Sequence, residues 1–440
     1  MKKTMFTTVF VVGLMAASCQ KDKLVNASME GQTIDTKLEI SSLNSPDFDK
    51  NYGGSQEDDG TAIATAKDGG YVIAGRTRSN DGDISGNHGD WDGYLIKVDK
   101  QGNKLWQKCY GGSKSDEILS IAATKEGGYI FAGMSDSPDG DLAGQTLTGR
   151  TLWIVKVDGQ GNIEWSKVIS NNSDITGLRQ ANFIIQTRRG DYILAGNLFR
   201  ADSTYNGWFC KLNNSSTVLW QKTAGSIDYD SFQQVVEDQR GNLWLAGTFG
   251  KPYSGDPITR GDVWLVKADR DGNIAWQKQY GGNMLDEGNS LAIDHNQGII
   301  LAGTTYGGGA DVVGFHGGPG DAWVIKVDLD GKKIWQKSAG GTGTDLFYSV
   351  IALQNGGYLL AGMTTSHDGD VKSRTSFQGG VGWLVRLSDA GEIKSERTYG
   401  TLGDTFNFVI EGAGKNYAVG GTEFLSGNDY NAWLIGISKP

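Results

Sequence analysis

Cysteine, proline and histidine are all scarce in this chain of 440 residues, which has three Cys, six Pro and four His. Three cysteines exclude a disulfide framework, and no pair of them has metal-ligand spacing. His88, His295, His316 and His367 fall in separate parts of the chain with no shared register. No Ser/His/Asp order, phosphate loop or Cys/His metal set accompanies them, so catalysis finds little support and a non-catalytic role is the expectation. Basic charge is also short: 41 Lys and Arg stand against 51 Asp and Glu, a net charge of −10. That charge is spread along the chain and argues against nucleic acid, which needs a basic face. What abounds is glycine, at 66 residues, alongside 13 Trp and 16 Tyr. Such a chain is rich in turns and still holds enough aromatic surface to pack.

Residues 280–337 form the unit around which the rest is organised. An acidic turn leads into a short apolar run at 290–294, and a Gly opens a second run at 299–303 that ends in Ala-Gly. After a long Gly/Asp loop comes a third run at 323–328, and an Asp-Gly turn returns the chain into a fourth at 333–337. An Asp recurs at the head of each unit, at Asp58, Asp116, Asp174, Asp230, Asp286, Asp345 and Asp404. The third-run aromatic recurs as Tyr94, Trp153, Trp208, Trp264, Trp323, Trp383 and Trp433. Four short β-type runs repeated seven times predict an all-β, seven-bladed β-propeller with four-stranded antiparallel blades.

The two ends of the chain complete each other. Residues 48–54 align with residues 106–112, the fourth run and exit of a full unit, whereas the chain stops after a third run at 433–438. The N-terminal strand is therefore expected to complete the last blade and close the ring, which removes an open sheet edge.

Ahead of the propeller (46–440), residues 1–19 hold two lysines, an apolar stretch too short to span a bilayer, and small residues ending in Cys19. This segment resembles a bacterial lipoprotein signal, which implies Cys19 as the lipidated N-terminus and a membrane anchor. The alternative is an ordinary signal peptide. Gln20 to Lys23 resembles the signal that sends some Bacteroidetes lipoproteins to the cell surface. The polar stretch 20–45 reads as a flexible tether. Outer membrane, lipid-anchored, is the expected location.

Short Asp/Gly/Asn connections, as at 99–103 and 269–273, suit tight hairpins between third and fourth strands. The long connections, at 79–92, 135–150, 304–321 and 364–380, all emerge on the opposite face of a propeller, where binding is expected. Most Trp residues repeat once per blade, and packing between blades explains them. Trp91 does not repeat: it lies in a long loop between Asp90 and Asp92, a candidate for stacking on carbohydrate or a partner. The Asp at the head of each unit is expected to accept hydrogen bonds from backbone amides of its own turn or of the next blade. Asp-Gly-Asp recurs at Asp81 and Asp83, Asp139 and Asp141, and Asp368 and Asp370. These carboxylates are candidate ligand-binding groups together with Asp90. Calcium is a cofactor candidate, at Asp81 and Asp83 first, with solvated turns as the alternative.

The run W-x-V-K-x-D-x-x-G-N-x-x-W-x-K-x-Y-G-G, followed by D-E and G-G-Y-x-x-A-G, resembles a group of repeat lipoproteins and cell-surface proteins of Bacteroidetes and some archaea. The likeness covers residues 46–440 and implies extracytoplasmic binding or scaffolding. The turn from Asp99 to Trp106 resembles the tryptophan-docking motif of quinoprotein propellers but lacks its Thr and is one residue shorter. Gly127 to Tyr129 is similar to kelch repeats, with the Gly pair beginning a strand and not ending one. The Asp-box of sialidases does not occur. The expected function is binding of a glycan or protein through the long-loop face. The alternatives are a polysaccharide hydrolase or lyase using carboxylates of that face, and a scaffold subunit of an outer-membrane complex.

Overall fold

A computed structural model describes residues 43, 46–145, 147, 149–169, 177–200, 204–226, 229–250, 261–374, 379–412, 416–426 and 429–438. Cys19, the signal segment and, apart from Leu43, the tether lie outside the described residues, as does Asp174. The chain is a seven-bladed β-propeller: seven four-stranded antiparallel sheets, six of them built from consecutive strands. Blade 1 spans residues 58–110, blade 2 116–169, blade 3 178–224, blade 4 231–280, blade 5 286–339 and blade 6 345–399. Blade 7 takes three strands from 405–437 and its outer strand, Phe48–Tyr52, from the other end of the chain. That strand pairs antiparallel with Asp429–Ile437, Phe48 opposite Gly436 and Tyr52 opposite Ala432.

The inner strands are longer than their apolar runs. In blade 5 the inner strand is Asp286–Ile293, starting at the repeat Asp and not at Ser290. All seven inner strands carry a register shift at the same place, with Thr61, Leu119, Asn182, Gln233, Asn289, Tyr348 and Asn407 as the extra residues. Each bulge pushes a backbone carbonyl toward the second strand, and this is why that strand carries a glycine opposite, after Ala in six blades and after Gly420 in the seventh. A Cβ on Gly75, Gly133, Gly247 or Gly362 would lie 1.7, 1.8, 1.9 and 1.9 Å from an inner-strand carbonyl oxygen. Only glycine admits so close an approach. Across each of these glycines sits the third-strand aromatic, and Phe232 stacks on Trp264 with centroids 4.4 Å apart, as Phe406 does on Trp433 at 4.6 Å.

The third-strand Trp rings are buried between neighbouring blades, as expected, Trp153 among residues of blades 1 and 2 and Trp323 among those of blades 4 and 5, each burial worth roughly 5 kcal/mol before entropy. The outer-strand Trp rings work at the seams. Trp106, Trp220, Trp276 and Trp335 each lie against the hairpin glycine of the next blade, at Gly161, Gly272, Gly331 and Gly391. Phe48 fills the same seat against Gly102. An outer-strand Tyr hydroxyl then donates to that glycine's carbonyl: Tyr52 to Gly102 at 2.7 Å, Tyr110 to Gly161 at 2.8 Å and Tyr280 to Gly331 at 2.6 Å. Blade 7 has no such hairpin, and Tyr399 donates to the carbonyl of Leu43.

Candidate functional site

Antiparallel blades place the interblade loops and the second-to-third-strand loops on one face, around the mouth of an axial channel. The channel encloses about 280 Å³ and is lined by the seven inner strands at their bulges. Bulge side chains bridge neighbouring blades there: Thr61 donates to the carbonyl of Ile118 at 2.6 Å, Asn182 to Phe232 at 2.8 Å, Asn289 to Phe347 at 3.0 Å and Asn407 to Gly60 at 3.2 Å. Sequence reading misses these residues, because a bulge is a property of strand register. The glycine that recurs in each second strand, after Ala in six blades, is the signal that could have located them.

At the channel mouth the repeat Asp residues are buried. Asp58 accepts hydrogen bonds from the Gly54 amide at 2.7 Å and the Ser79 hydroxyl at 2.8 Å, and Thr77 donates to its other oxygen. Asp116 is held alike by Gly112 at 2.8 Å, Ser137 at 2.7 Å and Ser135, and Asp345 by Gly341 at 2.9 Å, Ser366 at 2.7 Å and Thr364. Asp286 accepts from Gly282 at 2.6 Å, Asp230 from Gly250 at 2.9 Å and Asp404 from Phe424 at 2.8 Å. Burial pushes Asp58, Asp116 and Asp404 up from the usual carboxylate range against the pull of these donors, and brings Asp286 to about 6.

Blade 3 departs from the pattern. Counting back from its bulge, the position occupied by Asp in the other six blades is Arg179, five residues after Asp174. Arg179 pairs in register with Leu198, where Asp58 and Asp116 face the hydroxyls of Thr77 and Ser135. Its guanidinium is buried and donates to Gln221 at 3.0 Å. The even spacing of Asp174 in the sequence hides a longer interblade connection.

The Asp-Gly-Asp loops clamp the interblade turns. Asp81, Asp139 and Asp368 accept the backbone N–H of Ser55, Ser113 and Thr342 at 2.8, 2.7 and 2.7 Å. The amides of Asp83, Asp141 and Asp370 donate to the carbonyls of Gly53, Gly111 and Gly340 at 2.8, 3.0 and 2.8 Å. The glycine between them has positive φ, +63° at Gly82, and a Cβ there would press on the clamped turn. Asp83 pairs with Lys104 at 2.7 Å and Asp370 with Lys337 at 3.0 Å, while Asp141 accepts from the Gly111 amide at 3.0 Å. Among the described residues, no three His, Cys, Asp or Glu side chains gather as a metal-ligand group.

Trp91 lies half-buried beneath two guanidinium groups, Arg76 at 4.4 Å and Arg78 at 4.8 Å from its ring centroid. Arg76 also pairs with Asp59 at 2.8 Å and with Glu117 of blade 2 at 3.5 Å; Arg78 pairs with Glu57 at 3.1 Å and with Asp90 at 2.9 Å. The ring is thus engaged within the chain, and Asp90 is a member of the same network.

The matching positions at the junction of blades 3 and 4 carry different chemistry. Register sets Gln180 where blade 1 has Asp59, Asn197 for Arg76, Phe199 for Arg78, Tyr205 for Trp91, and Ser231 for Glu117. Charges are replaced by amides, rings and a hydroxyl. Of these, Gln180, Asn197, Tyr205 and Ser231, with Asn182, Gln233 and Tyr229, line a groove of about 350 Å³. Asn182 and Gln233 also line the axial channel, so groove and channel share a wall. Phe199, Tyr205 and Tyr229 form a chain of rings with centroids 5.0 and 5.4 Å apart.

Blade 5 places one more group at this end. Burial raises the Glu287 carboxyl above its usual range, and the Tyr306 hydroxyl hydrogen-bonds it at 3.3 Å.

No family model matches the chain. It is similar to the regulatory protein FlaEY of Caulobacter vibrioides, at 25% identity over 233 residues, or 49% of this chain and 24% of that protein. The chain therefore spans about a quarter of that relative's length. Among solved structures it resembles the full extracellular region of plexin A4, at 8% identity and a TM-score of 0.51, covering 86% of this chain and 46% of that one. It also resembles a protein of unknown function from Bacteroides caccae, at 15% identity and a TM-score of 0.39, over 71% of this chain and 92% of that one. These structural likenesses concern the fold alone. Fold and site together define a β-propeller, an architecture typically used as a binding or scaffold module.

Proposed function

We propose that this protein is a non-catalytic, lipid-anchored propeller of the cell envelope that binds a macromolecular ligand through its long-loop face. The observation that carries the reading is the contrast between two junctions on that face. Between blades 1 and 2, the charged side chains and Trp91 satisfy one another. Between blades 3 and 4, the same positions form a groove that is uncharged among the described residues and shares Asn182 and Gln233 with the channel. A rigid scaffold that withholds its internal pairing at one place leaves that place to a ligand. Among the described residues the opposite face carries tight turns, which Asp residues hold closed, as Asp99 does by accepting the amides of Gln101 and Asn103, both at 2.8 Å. Anchoring rests on Cys19 and the segment before it, with residues 20–45 as the tether; outer-membrane placement follows from the same signal.

Photo-crosslinking in the cells that make the protein tests the reading. A crosslinking residue at exposed Asn80 of the long-loop face is expected to capture envelope material. The same residue at exposed Gln101 of the tight-turn face is not. Equal capture from both, or none from Asn80, would count against the proposal. Metabolic labelling with a fatty acid, compared with a Cys19→Ser variant, tests the anchor.

A further inference from the structure

The groove between blades 3 and 4 has a chemistry specific enough to name its ligand class. We infer that it is a binding site for a neutral oligosaccharide; the inference rests on the proposal that the long-loop face binds ligand. Sugars present two kinds of surface. Patches of C–H stack on aromatic rings, and adjacent hydroxyls take a donor and an acceptor together from one side-chain amide. Tyr205 and Tyr229 supply the rings, half-buried at the groove and in contact with each other at 5.4 Å. Gln180, Asn197 and Gln233 supply the amides.

These amides retain open hydrogen-bonding capacity. Gln180 donates to Asn182 at 3.0 Å and Gln233 to the Ser231 hydroxyl at 3.3 Å, and Asn197 accepts from Asn182 at 3.5 Å. Among the described residues, the Asn197 Nδ2 and the Oε1 atoms of Gln180 and Gln233 make no protein hydrogen bond, although all three side chains are only half exposed. The equivalent pair in blade 1, Asp59 and Arg76, closes on itself at 2.8 Å. Among the described residues, no Asp, Glu, Lys or Arg lines the groove. An acidic glycan or a charged peptide would find no counter-charge there, whereas a neutral chain of hydroxyls leaves nothing unpaired.

Calorimetric titration of the full-length protein with malto-, cello-, xylo- and mannohexaose is the test, with polygalacturonate fragments as the acidic comparison. At least one neutral hexasaccharide is expected to bind. Tyr205→Ala is expected to weaken it about tenfold, and Trp91→Ala to leave it unchanged. A Gln180→Asp/Asn197→Arg variant rebuilds the blade 1 ion pair in the groove; it is expected to melt like the parent and to lose sugar binding, which keeps the test valid if Tyr205→Ala fails to fold. Binding of the acidic fragments alone, or neutral binding indifferent to all three groove substitutions, would overturn the inference. If no sugar binds while crosslinks from Asn80 persist, the sugar site falls and the binding platform stands. If both fail, both fall.

Discussion

Trp433 donates its indole N–H to the carboxylate of Asp49 at 2.7 Å, across 384 positions of sequence. In other blades the third-strand Trp finds its acceptor on the outer strand 13 residues later: Trp153 on Ser166, Trp208 on Gln221, Trp323 on Gln336 and Trp383 on Glu396. Asp49 holds that same place although it arrives from the opposite end of the chain. Closure of the ring therefore repeats a bond used within ordinary blades.

Removal of this closure should be costly in proportion. Asp49→Ala is expected to destabilise by about 1–2 kcal/mol by leaving the indole N–H without its acceptor. Deletion of Phe48–Tyr52 exposes the edge of Asp429–Ile437 and should lower the melting temperature and speed proteolysis far more. Equal resistance of the deletion variant to heat and protease would show that the ring does not depend on this strand.

Gly247→Ala tests the coupling between bulge and second strand. The added Cβ would stand 1.9 Å from the Ser231 carbonyl oxygen, a backbone atom that can yield only by undoing the bulge. A loss of roughly 3 kcal/mol is expected. Gly86→Ala is the control: φ is +84° but nothing lies within 4 Å of the new Cβ. That substitution should cost only about 1 kcal/mol, for backbone strain. Similar losses at the two sites in chemical denaturation would remove the argument.

The buried carboxylates set a pH dependence of unusual sign. Asp286, raised from 3.8 to about 6 by burial, binds a proton more tightly folded than unfolded. Its contribution to stability is fully present below about pH 4 and is lost as pH rises through 6. Asp92, also raised to about 6 by burial, acts in the same direction. Asp286→Asn keeps an acceptor for the Gly282 amide and carries no charge to desolvate. It should flatten the decline between pH 4 and 6, and gain up to about 3 kcal/mol over the parent at pH 7.5. Melting curves across this range decide it. A slope unchanged in the variant would assign the dependence to other groups.

Calcium distinguishes clamp from metal loop. Because Asp81, Asp139 and Asp368 already accept main-chain amides, added Ca²⁺ is expected to leave the melting temperature where it was. A rise reversed by chelator would instead make Asp81 and Asp83 ligands. Asp139→Ala should loosen the turn at Gly111 and Gly112, seen as faster amide exchange there in either case.

The period, the blade number and the exchange of strands between the chain ends could be read from the sequence. Each blade buries the same two faces against identical neighbours, so one pattern of apolar, glycine and aromatic residues must recur, and Phe48 to Gly54 carries it as plainly as Trp106 to Gly112 does. The tight turns were legible for the same local reason. Three-dimensional register decided the rest. Asp174 keeps the spacing of the repeat, yet Arg179 fills the position, because alignment across a sheet follows hydrogen bonds and not residue count. Trp91 reads as a free loop ring until Arg76 and Arg78, fifteen and thirteen residues earlier, are laid over it. The groove is harder still, since Gln180, Asn197, Tyr205 and Tyr229 look like ordinary strand residues in isolation. They form a site only because two adjacent blades bring them to one edge of the channel, and a repeat specifies the wheel without specifying which of its seams is left open.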